Sequence, residues 1–324
     1  MSDFKVRVSV AMITYGHEEY IKQAIDSILM QKTDFDYEVI IGEDCSPDST
    51  REILQDYESN YPNKFKMLYR EENWGPTKNF YDVLLHCSAD YIAVLEGDDF
   101  WSSPHKLQKQ FDFLDKHTDF IGVVHSCSVL SNNAEVSLKK EDVYRCQDNS
   151  VFTFSDFKVK RIPGHTCTQF YRNIFKLDQY NYDIVSAADA NTCDRTINML
   201  LLAQGDIYCM KEAMSTYRLV QKVGGTNINS LYYLKNMLYK NWEYENKLDV
   251  YCFNTFGKKF LTDESVANYW AGALRYKLKR NSKEDKKIFR KFNQIIIRHP
   301  KLIINIIRKI SNKIILNIQK SKNS

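Results

Sequence analysis

Glu96, Asp98 and Asp99 stand within four residues of one another in "YIAVLEGDDFW" (91–101), at the exit of a short apolar run. Carboxylates this crowded repel one another, so a positive group belongs among them. Three hard oxygen donors suit a hard divalent cation, Mg2+ or Mn2+. A cation held by only one or two protein carboxylates keeps positions open for phosphate oxygens, where it can neutralise a diphosphate leaving group. The alternative is an acidic turn that caps the helix to follow, "SPHKLQKQFDFLDKH". A second acidic pair, Glu43 and Asp44, closes another apolar run, "YEVIIGED". Asp48, Ser49 or Thr50 can cap the next helix. Glu43 and Asp44 precede that cap, and a carboxylate there can accept a hydrogen bond from a base ring N–H or a ribose hydroxyl.

These acids must be carried by alternating strands and helices. "VRVSVAMIT" (6–14) is a β-branched run of a strand buried on both faces. "EEYIKQAIDSILMQ" follows, with Ile21, Ala24, Ile25, Ile28 and Leu29 on one helical face. Strands are expected at 37–42, 65–69, 91–96 and 120–124, with helices after residue 50 and over 79–87. Such alternation implies an open α/β sheet with a mostly parallel centre and right-handed crossovers. Ligands of these sheets bind beyond the carboxyl ends of the strands. Thr14-Tyr15-Gly16, Glu43-Asp44 and Glu96-Asp98-Asp99 all fall on that edge. Residues 126–185 are less regular. From 186 a helix with Ile197, Leu200 and Leu201 on its apolar side leads into a strand. "QKVGGTN" (221–227) then reads as a flexible loop, and the remainder as helices.

"VSVAMITYGHEEYIKQAIDSILMQ", "EVIIGEDCSPDST", "NWGPTKNF" and "YIAVLEGDDFWSSPHKLQKQ", in that order, resemble an inverting family 2 glycosyltransferase of the GT-A, nucleotide-sugar-binding fold. The resemblance covers roughly residues 5–225. It implies a GT-A domain over 1–225, with a nucleotide-binding half (1–125) and an acceptor-binding half (126–225), ahead of a helical, basic region over 226–324. It implies a nucleotide-diphosphate sugar donor, UDP-linked by preference. Thr14, Tyr15, Gly16 and Glu18 would border the nucleotide, and Asp44 would meet the base. Asn73, Gly75, Lys78 and Asn79 would form a loop near the donor. Glu96-Gly97-Asp98 takes the D-x-D position, with Glu96 near the ribose, Asp98 on the metal and Asp99 beside it. The general base would be Asp194 in "CDRTINMLLLAQGDIYCM", with Asp189 as the second candidate and a helix N-cap as the bland role for Asp194. Tyr217 and Arg218 match a "Y-R-x-H" element, Arg218 toward the diphosphate; Val220 replaces its His. His165 and Trp101 are the acceptor-side candidates, and His125 a weaker one, each weighed against a purely structural role. His86 and His299 read as helix-surface residues.

The bulk properties fit this reading. The chain of 324 residues is 44 % hydrophobic and 27 % charged, the balance of a folded protein with a sizeable core. From Arg275 onward there are 16 Lys or Arg against two acids, which leaves 29 basic and 39 acidic residues in the preceding 274. An acidic body with a basic tail is not the footprint of a nucleic-acid reader. The eight cysteines form no C-x-x-C pair, and their spacing suggests neither zinc nor a disulfide framework. They read as free thiols of a reducing cytoplasm. No leader pattern and no membrane-spanning run is evident. Along 300–318, Ile303, Ile306, Ile307, Ile310 and Ile314 share a helical face opposite cations. That segment can lie on an anionic membrane surface at the inner face of the plasma membrane, or dock on the protein body or on a second copy in a homo-oligomer. A lipid-linked acceptor would make membrane proximity useful; a glycan is the other acceptor class. A sugar nucleotidyltransferase would need a Gly-rich basic loop after the first strand, where "TYGHEEY" is acidic. A nucleotide- or glycan-binding module without catalysis is the reading from another class.

Overall fold

Val6–Thr14 folds as β1 because its β-branched residues are covered on both faces; Val8, Val10, Ala11 and Met12 have no exposed surface. It is an interior strand of the sheet in the computed structural model, which describes residues 6–131, 134–136, 149–158, 162–177, 179–219, 238–279 and 282–297. Helix α1 (Ile21–Leu29) lays Ile21, Ala24, Ile25 and Ile28 against the sheet, the stripe its periodicity requires. β2 (Asp36–Glu43), β3 (Phe65–Tyr69) and β4 (Tyr91–Glu96) join β1 in parallel, in the order β3-β2-β1-β4. Between them run α2 (Thr50–Asn60) and α3 (Pro76–Leu85). α3 begins three residues earlier than its apolar pattern suggests, because Pro76 takes the first helical turn, where a missing N–H costs nothing.

Register sets the functional edge. Thr14 pairs with Glu43 on β2, and Ile13 with Glu96 on β4. Three strands therefore end side by side on one edge of the sheet.

Beyond β4 the sheet is mixed, where the sequence pattern suggested mostly parallel pairing. β5 is Phe100–Trp101, and after α4 (Lys106–Lys116) comes β6, Phe120–Ser131. Short strands β7 (Ala134–Val136) and β8 (Ser150–Phe152) hang off the main path. β9 (Phe170–Arg172) enters antiparallel between β4 and β6. β10 (Asp206–Leu219) runs parallel to β6 and antiparallel to β5, completing the order β3-β2-β1-β4-β9-β6-β10-β5. β6 extends seven residues past the expected 124 because β10 pairs with it as far as Ser131. The segment 126–185, irregular by pattern, thus supplies sheet: its strands are too short for alternation to be read. Short helices α5 (Phe154–Lys158) and α6 (Ile184–Ala187) precede α7 (Asp194–Gln204), which leads into β10.

The chain divides into two compact units, Met1–Tyr233 with Asn254–Gly257, and Leu234–Phe253 with Lys258–Ser324. The second unit is helical: α8 (Leu238–Phe256), α9 (Asp263–Lys279) and α10 (Lys283–Ile297). Tyr269, Ala273, Ile288 and Phe292 form its core, and the Trp270 indole donates to Asn293 Oδ1 at 2.8 Å. No helix among the described residues is long and apolar enough to cross a membrane. The 221–227 loop, Val220, His299 and the amphipathic segment 300–318 lie outside the described residues.

Candidate active site

A cleft of about 540 Å3 opens at the carboxyl edge of β1, β2 and β4. Thr14, Tyr15 and His17 come to it from the loop after β1, Asp44 from the end of β2 and Asn73 from the loop before α3. Asn79 comes from α3 itself, Glu96 and Asp98 from the turn after β4. His165 and Thr166 reach it from the loop before β9, Asp194 from the first turn of α7 and Tyr217 from β10. Residues far apart in the chain share one cavity because most of them follow a strand end or open a helix on that side.

Asp44 is nearly buried, and its two oxygens accept the backbone N–H groups of Trp74 (2.7 Å) and Gly75 (2.9 Å). Burial raises its pKa; those two hydrogen bonds oppose the rise. Asp44 therefore fixes the 73–75 loop while lining the cleft. Its neighbour Glu43 does a different job. Fully buried, it pairs with Arg51 and accepts the Ser46 N–H at 2.6 Å, which ties β2 to α2. Asn79 spans the cleft floor, donating to the Gly42 carbonyl and accepting from Arg70.

Glu96 and Asp98 face the cleft, whereas Asp99 is completely buried behind it and is not part of its lining. Burial first, then the Asp194 and Asp98 charges, pushes the Glu96 carboxyl well above the ordinary carboxylate range. Asp99 is pushed up well above its ordinary range by burial and by Asp98 and Glu96, against the Arg218 N–H that its Oδ1 accepts at 2.8 Å. Neither acid caps α4: its N-cap is His105. Oxygens of Glu96, Asp98 and Asp99 lie within 4.8 Å of one another, and Asp99 Oδ2 has no hydrogen-bond partner. Mutually destabilised carboxylates, two of them facing the cleft, are a donor set that fits a hard divalent cation.

Gly97 permits the turn. A Cβ there would come within 2.6 Å of Thr14 Oγ1 and 2.8 Å of His17 Nδ1. His17 bonds Thr14 Oγ1 at 3.1 Å through Nδ1 and presents Nε2 to Asp98 at 4.0 Å. Of the 14–18 loop, His17 is the residue the sequence does not single out: a loop has no period to show which side chain turns inward. Tyr217, one of the two residues of the "Y-R-x-H" resemblance, lines the cleft from β10, its ring tilted against His165 with centroids 4.0 Å apart.

Asp194 lines the cleft half-buried, near enough to Glu96 for its charge to act on it, and burial raises its own pKa. It is the first residue of α7, behind the N-cap residue Cys193, whose side chain makes no cap hydrogen bond; the Asp194 carboxylate accepts its own backbone N–H, which opposes the rise. Asp189 does not line the cleft: its Oδ1 accepts the Asn191 (2.8 Å) and Thr192 (3.2 Å) N–H groups.

Several expected site residues hold the frame instead. Trp101 is buried with its indole N–H on the Cys167 carbonyl at 3.1 Å, so it presents nothing to an acceptor. Lys78 is exposed, with its ammonium 3.9 Å above the Trp74 ring. Glu18 accepts the Ser49 N–H, and Gly16 donates to Ser46 Oγ, so both stitch the β1 loop to the start of α2. Arg218 lies outside the lining. It donates to the Asp98 carbonyl at 2.9 Å and sits over the Tyr20 and Phe100 rings, a clamp on the acidic turn. His125 is buried away from the cleft, with Nδ1 2.7 Å from the Ser126 carbonyl. His165 lines the cleft while almost fully buried, and burial lowers its pKa to about 3.

The family model Glycosyl transferase family 2 matches residues 9–180. An uncharacterised protein of Mycobacterium tuberculosis, Rv1520, is 33% identical over 211 residues, 65% of this chain and 58% of its own. The chain thus spans less than two thirds of that relative's length. A Bacillus subtilis protein named as the teichuronic acid biosynthesis glycosyltransferase TuaG is 37% identical over 114 residues, 35% of this chain and 44% of its own. S. aureus TarS 1-349, solved in complex with UDP-GlcNAc, superposes with a TM-score of 0.61 at 18% identity, covering 89% of this chain and 79% of that one. The likeness to TarS is one of fold.

Proposed function

We propose, because this chain belongs to glycosyl transferase family 2, that it transfers a sugar from a UDP-linked donor to a glycan or lipid-linked acceptor of a surface polysaccharide, with inversion at the anomeric carbon. The observation that carries the reading is the meeting of Asp44, Glu96, Asp98 and Asp194 around one cleft. Asp44 and the loop it holds suit the base. Glu96 suits the ribose, and Asp98 the diphosphate end. The part of the cleft beside Asp194 is left to the acceptor. The TarS complex with UDP-GlcNAc supports a UDP-sugar donor, and the teichuronic acid in TuaG's name supports a polysaccharide product.

Inversion needs a single displacement. The Asp194 carboxylate takes the acceptor hydroxyl proton as that oxygen bonds to the anomeric carbon, and the bond from that carbon to the diphosphate oxygen breaks. An Asp on the cleft lining whose pKa burial raises is suited to receive that proton. A Mn2+ or Mg2+ ion held by Asp98, with Glu96 and Asp99 beside it, would offset the charge developing on the leaving UDP.

Asp194→Asn separates transfer from binding. It is expected to lower kcat by about 10²–10⁴-fold while UDP still raises the Tm as in the parent. Full activity in this variant would remove Asp194 from its role. Stabilisation by UDP that needs Mn2+, and that Asp98→Asn abolishes, is the expected thermal-shift result. Indifference to the metal would overturn the part given to Asp98.

A further inference from the structure

Behind the acidic turn, on the side away from the solvent of the cleft, three ligand atoms of unlike chemistry converge. Asp99 Oδ2 lies 3.5 Å from His165 Nδ1, which lies 3.2 Å from Cys167 Sγ, and all three atoms are within 4.8 Å of one another. Around a tetrahedral zinc ion, neighbouring O, N and S ligands are separated by roughly 3.3–3.6 Å, from bond lengths of about 2.0–2.3 Å. The Asp99–His165 gap already matches that spacing, and the shorter His165–Cys167 gap would open by a few tenths of an ångström around the ion. Asp99 and Cys167 have no exposed surface, and Asp99 Oδ2 is a buried carboxylate oxygen without a hydrogen-bond partner. An oxygen left so is costly unless something positive reaches it.

The geometry points to a second metal site, distinct in chemistry from the hard-cation cluster: a borderline-soft divalent ion of the zinc class held by Asp99, His165 and Cys167. One thiolate and one carboxylate cancel a divalent charge, the condition for placing it in a dry interior. Imidazole and thiolate select zinc over Mg2+ or Mn2+, which favour all-oxygen shells. On binding, the metal–sulfur bond replaces the Cys167 S–H bond, and the proton leaves to solvent. His165 and Thr166 line the cleft, which supplies the route of entry. Cys127 hydrogen-bonds to Cys167, and Ser215 Oγ lies 3.3 Å from its sulfur, so the thiolate has outer partners to orient it. The ion would staple the turn that carries Asp98 to the 165–168 loop, fixing one corner of the cleft from behind. This inference stands whether or not the transferase reading does.

The test uses the full chain, purified without added metal or chelator. Elemental analysis is expected to find about one equivalent of zinc. After the zinc is stripped, titration with Co2+ should produce a thiolate-to-cobalt charge-transfer band with tetrahedral visible bands. Cys167→Ser should remove the charge-transfer band, His165→Gln should weaken Co2+ binding at least tenfold, and Asp98→Asn should leave the band in place. If the wild-type chain retains no zinc and gives no thiolate band, Asp99, His165 and Cys167 are a buried polar cluster only and the proposal fails. A band that survives Cys167→Ser, or one lost in Asp98→Asn, overturns it equally. The wild-type spectrum is decisive even if a variant does not fold.

Discussion

At the scale of single residues, neighbouring side chains of one type have parted company. Glu43 and Asp44 are adjacent acids at one strand end. The first is consumed by Arg51 and Ser46, and the second lines the cleft. Lys106 gives the clearest residue-scale prediction. Its ammonium is fully buried, 4.1 Å above the Trp101 ring, and has no hydrogen-bond partner. Burial lowers its pKa to about 7 against partial support from Cys167, and its charge helps hold the nearby His125 neutral. Between pH 7 and 10.5, the ordinary value, the unfolded chain carries a proton that the folded chain has shed. Stability therefore rises with pH across that window, and the cost of burying Lys106 is greatest at or below pH 7. Lys106→Met is expected to raise the Tm, with a larger gain at pH 6 than at pH 9, measured by calorimetry at both. An equal gain at the two values, or none, would show that the amine is charged and satisfied in the fold.

Among elements, strand ends and tight turns do the positioning. The turn after β4 approaches the loop after β1 so closely that only a residue without a Cβ fits at 97. Gly97→Ala is expected to move Thr14 and His17 from the cleft wall and weaken UDP binding at least tenfold, while costing about 1–3 kcal/mol of stability as overpacking does. Isothermal titration beside a denaturant melt reads both. Unchanged UDP affinity would mean that the β1 loop does not shape the donor pocket. The same scale explains what was legible. β1, β2, β4 and α1 declare themselves through long buried runs and a 3.6-residue stripe. β9 is three residues long and is held in place by partners on two strands, so no local pattern announces it.

Across the whole molecule, two compact units call for two kinds of readout. Phe292 is fully buried at the centre of the helical unit, edge-on to Tyr239 and Trp242 and stacked on Tyr269. Phe292→Ala is expected to destabilise that unit by about 3–5 kcal/mol. The UDP-dependent rise in the melting transition of the sheet-containing unit should persist. Loss of UDP binding in this variant would tie donor binding to the integrity of the helical unit.

The amino-acid sequence by itself determined the alternation of apolar runs, hence an α/β sheet, and with it the edge on which Thr14, Asp44, Glu96 and Asp98 must fall. Those consequences are local: a buried strand is written in its own residues, and a strand end follows from where the run stops. Motif order along the chain carried the family resemblance as well. Only the tertiary structure decided which acids line the cleft and which serve the frame, because that depends on what the rest of the chain brings beside them. Arg51 neutralises Glu43, and the Arg218 backbone draws Asp99 inward, from 119 residues away. Likewise, Cys167 and His165 stand beside Asp99 only once β9 has entered the sheet next to β4. Cysteine spacing cannot report a site whose ligands meet through folding.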